Sequence, residues 1–83
     1  MALTTKMIIK MYSASWCPDC MTAKKWLDDK KIKFEYIDIT KNLIDEEFVK
    51  KINLGKKIIP TFIINDKVYP NPGLRILSDL LEQ

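Results

Sequence analysis

Apolar and polar positions follow two different repeats along this chain, and together they predict seven elements of secondary structure. Mostly apolar runs at 7–12 and 58–64 are rich in strand-forming side chains and indicate two buried strands. A partly alternating run at 33–39 predicts a further strand. Apolar residues at helical spacing predict three amphipathic helices. The residues that carry this spacing are Cys20, Ala23 and Leu27, then Leu43, Ile44, Phe48 and Ile52, then Leu74, Leu77, Leu80 and Leu81.

Local signals predict where the first helix begins and where the first two helices end. Pro18 suits a first helical turn because its missing N–H would have no intrahelical partner there. Asp19 follows it, where the helix dipole favours an anion. We expect this helix to end near Lys30 and the second helix to end near Gly55.

The last third of the chain carries turn and cap signals. Asn65 and Asp66 form a two-residue turn signal between the apolar strand and a short strand at 67–69, which predicts a hairpin. Asn71 is a favourable N-cap residue, and Pro72 behind it is expected at the first position of the last helix.

The predicted order of elements is β-α-β-α-β-β-α. A helix joins the first two strands, which favours a parallel pair, whereas the hairpin makes the last two antiparallel. We therefore predict an α/β fold with a four-stranded mixed sheet flanked by three helices. The length of 83 residues fits a single domain over 1–83.

Composition excludes several classes of site. Of the residues, 47% are apolar and 30% are charged, a mixture typical of a globular chain rather than a disordered one. There is no histidine, so neither Cys-His catalysis nor a histidine-ligated metal can be built. The two cysteines are too few for a four-cysteine zinc site in one chain, and no metal site is expected.

Charge and hydropathy bear on partners and compartment. The net charge is +3, but the lysines are spread from Lys6 to Lys67 instead of forming the dense stripe typical of nucleic-acid binding. The longest nearly apolar run has seven residues, whereas a membrane-spanning helix needs about 20. The first ten residues lack the features of a signal peptide. We expect a cytoplasmic monomer that binds neither nucleic acid nor membrane.

The strongest chemical signal is a C-x-x-C motif, Cys17-Pro18-Asp19-Cys20, where a strand leads into a helix. Sulfurs three residues apart on a helical turn can form a disulfide with little backbone movement. Cys17 falls at the start of the helix, where free N–H groups stabilise a thiolate, and Cys20 falls on the apolar face. This asymmetry predicts that Cys17 attacks a disulfide and that Cys20 resolves the mixed disulfide.

Two other interpretations of the motif remain open. The cysteines could be half of a zinc site completed by a second chain, or an inert pair in the core. The strand-to-helix context and the absence of other ligand clusters favour redox chemistry.

The chain resembles the glutaredoxins and related small redox proteins of the thioredoxin-like superfamily over nearly its whole length. The segments that carry the resemblance are 12–20, Lys24, 36–39, 55–60 and the small hairpin before the last helix. The compact chain with its C-P-x-C motif is more similar to glutaredoxins than to thioredoxins. Thioredoxins place a buried Asp six residues before the first cysteine, where this chain has Met11.

The resemblance implies roles for residues around the motif. It implies a cis bond between Ile59 and Pro60, packed opposite the disulfide, with the Ile59 backbone free to pair with an extended substrate. Lys57 corresponds to a basic residue that contacts a carboxylate of glutathione in many glutaredoxins. Trp16 is a candidate apolar rim for substrate docking, and Pro18 and Asp19 lie beside the attacking sulfur.

Three glutathione-contact features differ from the family pattern. Ala14 stands where a Lys is frequent, Asp19 where a Tyr is usual, and residues 70–73 lack the usual Gly-Gly and Asp. The Asn-Pro pair in this segment is similar to mycoredoxins, which use another low-molecular-weight thiol. The electron donor is therefore expected to be glutathione or another low-molecular-weight thiol, with no bound cofactor.

The expected function is thiol–disulfide oxidoreduction of protein or small-thiol disulfides, and three versions of it stay open. A small thiol, with glutathione reductase, could recharge the protein. A thioredoxin-type reductase could recharge it instead. In the third version the chain is a non-catalytic metal or iron–sulfur carrier bridged by Cys17 from two chains, which Pro18 disfavours because cluster-binding relatives usually alter that position.

Overall fold

The computed structural model describes residues 8–82 and contains four strands and three α-helices in the predicted order. The elements are β1 (Ile9–Ser13), α1 (Pro18–Asp29), β2 (Glu35–Asp38), a single 3-10 turn (Ile39–Lys41), α2 (Leu43–Ile52), β3 (Thr61–Ile64), β4 (Lys67–Pro70) and α3 (Leu74–Leu81). The strands form one mixed sheet in the order β2-β1-β3-β4. The pair β1/β2 is parallel, and the other two pairs are antiparallel, as predicted.

Strand alternation divides the core into two layers. On one face of the sheet, Met11 and Phe62 pack with the buried residues of α1 and with Leu77 of α3. On the other face, Tyr12 packs with Ile39 and with Val49 of α2. Side chains of successive strand residues point to opposite faces, so neighbours such as Met11 and Tyr12 serve different layers.

The topology brings four connections to one edge of the sheet. The parallel strands β1 and β2 both end there, β3 begins there, and β4 ends there. The connections are residues 14–17, the 3-10 turn with the start of α2, residues 53–60, and residues 71–73. We call this edge the cysteine edge, because Cys17 lies in the first connection.

Two predicted strands are shorter in the structure. The run at 33–39 is a strand only over β2, because the Asp38 carboxylate accepts a hydrogen bond from the Thr40 backbone N–H at 2.9 Å and starts the 3-10 turn. The run at 58–64 is a strand only from Thr61, since the Ile58 N–H is bonded to the Lys56 carbonyl and Pro60 has no N–H to donate. The first strand runs from Ile9 to Ser13, and position 7 lies outside the described residues.

The predicted start of α3 is wrong. The N-cap is Gly73 without any side-chain hydrogen bond, so neither Asn71 nor Pro72 has its expected role. Asn71 instead adopts a left-handed conformation, with φ of 43°, and its N–H donates to the Pro60 carbonyl at 2.7 Å. This bond ties the last connection to the one that precedes β3. The Asn65–Asp66 turn is confirmed, with positive φ at both residues as a type I′ hairpin requires.

Within residues 8–82, no helix has the length and apolar character needed to cross a bilayer.

Candidate active site

Cys17 is the N-cap residue of α1 and lies at the cysteine edge. Its backbone is extended, with φ of −87° and ψ of 116°, and Pro18 occupies the first helical position as predicted. The Cys17 Sγ accepts a hydrogen bond from the Cys20 backbone N–H at 3.2 Å. Only 5% of Cys17 is exposed, so this donor and the helix dipole act in a largely water-free setting.

Cys20 lies one helical turn further in and is completely buried. Burial raises the pKa of its thiol to about 12, and the hydrogen bond with Cys17 acts in the same direction. A backbone hydrogen bond from Ala14 opposes the shift only in part. Both cysteines are free thiols in this structure. The geometry therefore separates a sulfur whose thiolate is supported at a helix start from a sulfur that is held protonated.

Trp16 and Asp19 flank Cys17 and face solvent. Trp16 is 65% exposed and is an apolar surface beside the sulfur. Asp19 is exposed in the first turn of α1 and lines a cavity of about 240 Å³. The other lining residues are Thr22, Ala23, Asn71, Pro72, Gly73 and Leu74.

Ile59 and Pro60 lie in the connection before β3. The bond between them is cis, as the resemblance implied, and Pro60 is fully buried. Ile59 packs against the core cluster that contains Cys17 and Cys20. Within residues 8–82, no backbone hydrogen bond involves the N–H or the carbonyl of Ile59.

Lys57 precedes this pair, and its ammonium group already has a partner. Its Nζ lies 3.3 Å from Oε2 of Glu46 in the first turn of α2. The expected contact of Lys57 with a substrate carboxylate would therefore compete with a carboxylate of the protein itself.

Comparison with known proteins places this arrangement in a family. The sequence model described as Glutaredoxin matches residues 9–69, which include both cysteines and Pro60. The chain belongs to the glutaredoxin family. Glutaredoxins are thiol–disulfide oxidoreductases, and the chain is accordingly one of these enzymes, with thioredoxin-like architecture.

Individual relatives agree with the family and the fold. Mycoredoxin 1 of Corynebacterium glutamicum is 33% identical over 58 residues, which cover 70% of this chain and 71% of the relative. The glutaredoxin structure from Methanosarcina mazei is 28% identical with a TM-score of 0.75, over 92% of this chain and 79% of that one. The crystal structure of the thioredoxin-like protein BC3987 gives a TM-score of 0.76 at 23% identity, over 88% of this chain and 99% of that one.

Sequence reasoning missed the polar network that holds the cis-proline connection of this glutaredoxin. The amide of Asn53 is buried and donates to the Val49 carbonyl at 2.9 Å and to Oγ1 of Thr61 at 3.1 Å. The Thr61 hydroxyl in turn donates to the Ile58 carbonyl at 2.6 Å. Asn53 lies between Ile52, the last apolar position of the predicted helix, and Gly55. This position was a usable signal, because a polar side chain that becomes buried at a helix end needs a hydrogen-bond partner.

Two further residues near the cysteine edge gave no sequence signal. Glu46 looks like one of several acidic residues on a solvated helix face, and its contact with Lys57 spans eleven positions. Ser13 is completely buried at the end of β1, and no residue among 8–82 forms a hydrogen bond with its Oγ. Within residues 8–82, no group of three or more histidine, cysteine, aspartate or glutamate side chains could hold a metal ion.

Proposed function

We propose that this glutaredoxin reduces protein disulfides and mixed disulfides by a dithiol mechanism in which Cys17 is the nucleophile and Cys20 the resolving thiol. The observation that supports it most is the pairing of a helix-capping sulfur that accepts an N–H bond with a buried sulfur whose pKa is raised to about 12. The thiolate is the reactive form, so attack begins at the sulfur whose thiolate is supported.

The proposed reaction moves two electrons from the protein to the substrate. The Cys17 thiolate attacks one sulfur of the substrate disulfide, forms a mixed disulfide and expels the other sulfur as a thiolate. Cys20 then attacks Cys17, gives its proton to the departing sulfur and closes the Cys17–Cys20 disulfide. A low-molecular-weight thiol or a flavoprotein reductase supplies the two electrons that restore the dithiol.

We propose that an extended substrate lies between Trp16 and Ile59. The unpaired backbone groups of Ile59 can accept a short strand by β-augmentation. Trp16 provides an exposed apolar surface on the other side of Cys17. Pro18 and Asp19 would border the bound disulfide, since they directly follow Cys17.

Single cysteine variants test the mechanism. Cys17→Ser should abolish disulfide reduction. Cys20→Ser should accumulate a mixed disulfide on Cys17, which mass spectrometry of the intact protein detects. Reduction that survives in Cys17→Ser, or a mixed disulfide on Cys20 in wild type, would refute the assigned roles.

The electron donor has three candidates: glutathione, another low-molecular-weight thiol and a flavoprotein reductase. Two features of this chain argue for weak use of glutathione. Lys57 is paired with Glu46, and the 70–73 segment carries no acid. NADPH consumption should be compared with glutathione plus glutathione reductase and with thioredoxin reductase alone. Turnover only with thioredoxin reductase would identify a redoxin on a glutaredoxin scaffold. Turnover only with glutathione would show that these altered contacts still form a working glutathione site.

A further inference from the structure

Lys57 lies in the connection that carries Ile59 and Pro60. It lies at the cysteine edge, two residues before Ile59, whose side chain packs on the cluster of the two cysteines. The neighbouring Lys56 instead lines a separate groove with Ile52, Leu54 and Val68. Lys57 is thus the lysine of this connection that lies next to α2 and its acidic first turn.

Glu46, the partner of this lysine, lies in the first turn of α2. The side chain of Glu46 is only 25% exposed, compared with 44% for Lys57. Its backbone N–H donates to the Asn42 carbonyl, and the Asn42 side chain caps α2 through the Ile44 N–H at 2.8 Å. Because Glu46 lies beside Lys57, a substrate carboxylate would have to compete with it for the ammonium group.

A second lysine, Lys50, also lies beside the carboxylate of Glu46. Lys50 lies 3.9 Å from the same Oε2 of Glu46 and 3.5 Å from Oε2 of Glu47. The carboxylate of Glu46 therefore lies between two ammonium groups, and Lys50 is shared with a second acid. Neither lysine presents an uncompensated charge to a ligand.

We propose that Glu46 is a specificity-determining residue. By neutralising Lys57, it removes a preference for disulfides that carry carboxylates. The site then favours disulfides whose neighbouring groups are uncharged, such as the peptide groups near a protein disulfide. This inference rests on the proposed dithiol function, because it concerns which disulfide the Cys17 thiolate attacks. Glu46 does not touch the reacting sulfurs; it acts through Lys57.

The test measures how fast the reduced protein is oxidised by two small disulfides. Bis(2-hydroxyethyl) disulfide is neutral, and 3,3′-dithiodipropionate carries two carboxylates. The readout is the ratio of the second-order rate constants, anionic over neutral, at low ionic strength. Glu46→Gln should raise this ratio about two- to fivefold, the range expected when an exposed ion pair is released. Glu47→Gln is the control for charge: it removes the same charge one residue away but leaves the Lys57–Glu46 pair in place, so its ratio should rise less than that of Glu46→Gln.

The double variant E46Q/K57Q tests whether Glu46 acts through Lys57. It removes both charges of the pair, so its ratio should return to that of wild type, and about 1 M salt should remove the effect of Glu46→Gln. Equal ratios in Glu46→Gln and Glu47→Gln, or a raised ratio that persists in the double variant, would overturn the proposal. A wild-type protein that reacts with neither disulfide would instead refute the dithiol function itself.

Discussion

The backbone N–H of Cys20 donates a hydrogen bond to the Sγ of Cys17 at 3.2 Å, so the residue that carries the buried thiol also supports the thiolate of its partner. The two sulfurs share one helical turn but meet different surroundings. Cys17 is the N-cap, whereas Cys20 is enclosed by the apolar core. This division underlies the different roles proposed for them.

The raised pKa of Cys20 predicts a loss of stability at alkaline pH. Burial moves the pKa of Cys20 from 9.0 up to about 12. Below pH 9 the folded and unfolded states both carry the proton; above it only the folded state keeps it, so this contribution is lost as pH rises towards 12. We expect the free energy of unfolding of the reduced protein to fall by about 1 kcal/mol between about pH 9 and pH 10 from this group.

Urea unfolding at about pH 8, 9 and 10 under reducing conditions measures this dependence. In Cys20→Ala, the free energy of unfolding should fall less over this pH range. Tyr12→Phe is the control: burial raises the pKa of Tyr12 above 10.0, so its own contribution is lost mainly above pH 10 and this variant should keep most of the wild-type slope over this window. An unchanged slope in Cys20→Ala would contradict the prediction.

Asn53→Ala should destabilise the connection that carries Ile59 and Pro60. The variant removes the donor to the Val49 carbonyl and leaves the Thr61 hydroxyl with only its bond to the Ile58 carbonyl, and an unmet buried polar group costs about 1–3 kcal/mol. We expect the free energy of unfolding to fall by about 2 kcal/mol, together with faster amide exchange at Ile58 and Thr61. Asn65→Asp, at the opposite end of the sheet, is a suitable comparison for exchange in this segment.

Ser13→Ala should leave the protein as stable as wild type or up to about 1 kcal/mol more stable, because the removed hydroxyl is buried without a partner. Thr61→Val is the counterpart, since its hydroxyl is equally buried but bonded to Ile58 and Asn53. In thermal melts, Thr61→Val should therefore have a lower melting temperature than Ser13→Ala. A loss in Ser13→Ala as large as that in Thr61→Val would show that the Ser13 hydroxyl has a partner.

Asp19→Asn should increase the reactivity of Cys17 at neutral pH. A carboxylate near a sulfur opposes formation of its thiolate, and Asp19 lies two residues after Cys17 in the first turn of α1. Alkylation of Cys17 by iodoacetamide should become about two- to threefold faster at low salt, and less so at high salt. Asp66→Asn removes the same charge at the hairpin turn and should alkylate at the wild-type rate. Equal rates in the two variants would assign the effect to net charge alone.

The order of elements and the proximity of the two cysteines were determined by the sequence itself. Strand and helix periods, the Pro18 signal and the Asn65–Asp66 turn depend on neighbours along the chain, and the structure confirms each of them. The C-x-x-C spacing likewise needs only one helical turn to bring Cys17 and Cys20 together.

Tertiary structure decided which residues share the cysteine edge and what each of them contacts. Asn71 is a residue type that often caps helices, but its N–H donates to the Pro60 carbonyl in another connection. The helix begins later, with Gly73 as its N-cap. The residues next to Lys57 in the sequence do not indicate its partner, and only the packing of α2 beside it supplies Glu46. Ser13 became buried and unpaired for the same reason. Such contacts join positions far apart in sequence, and no local periodicity encodes them.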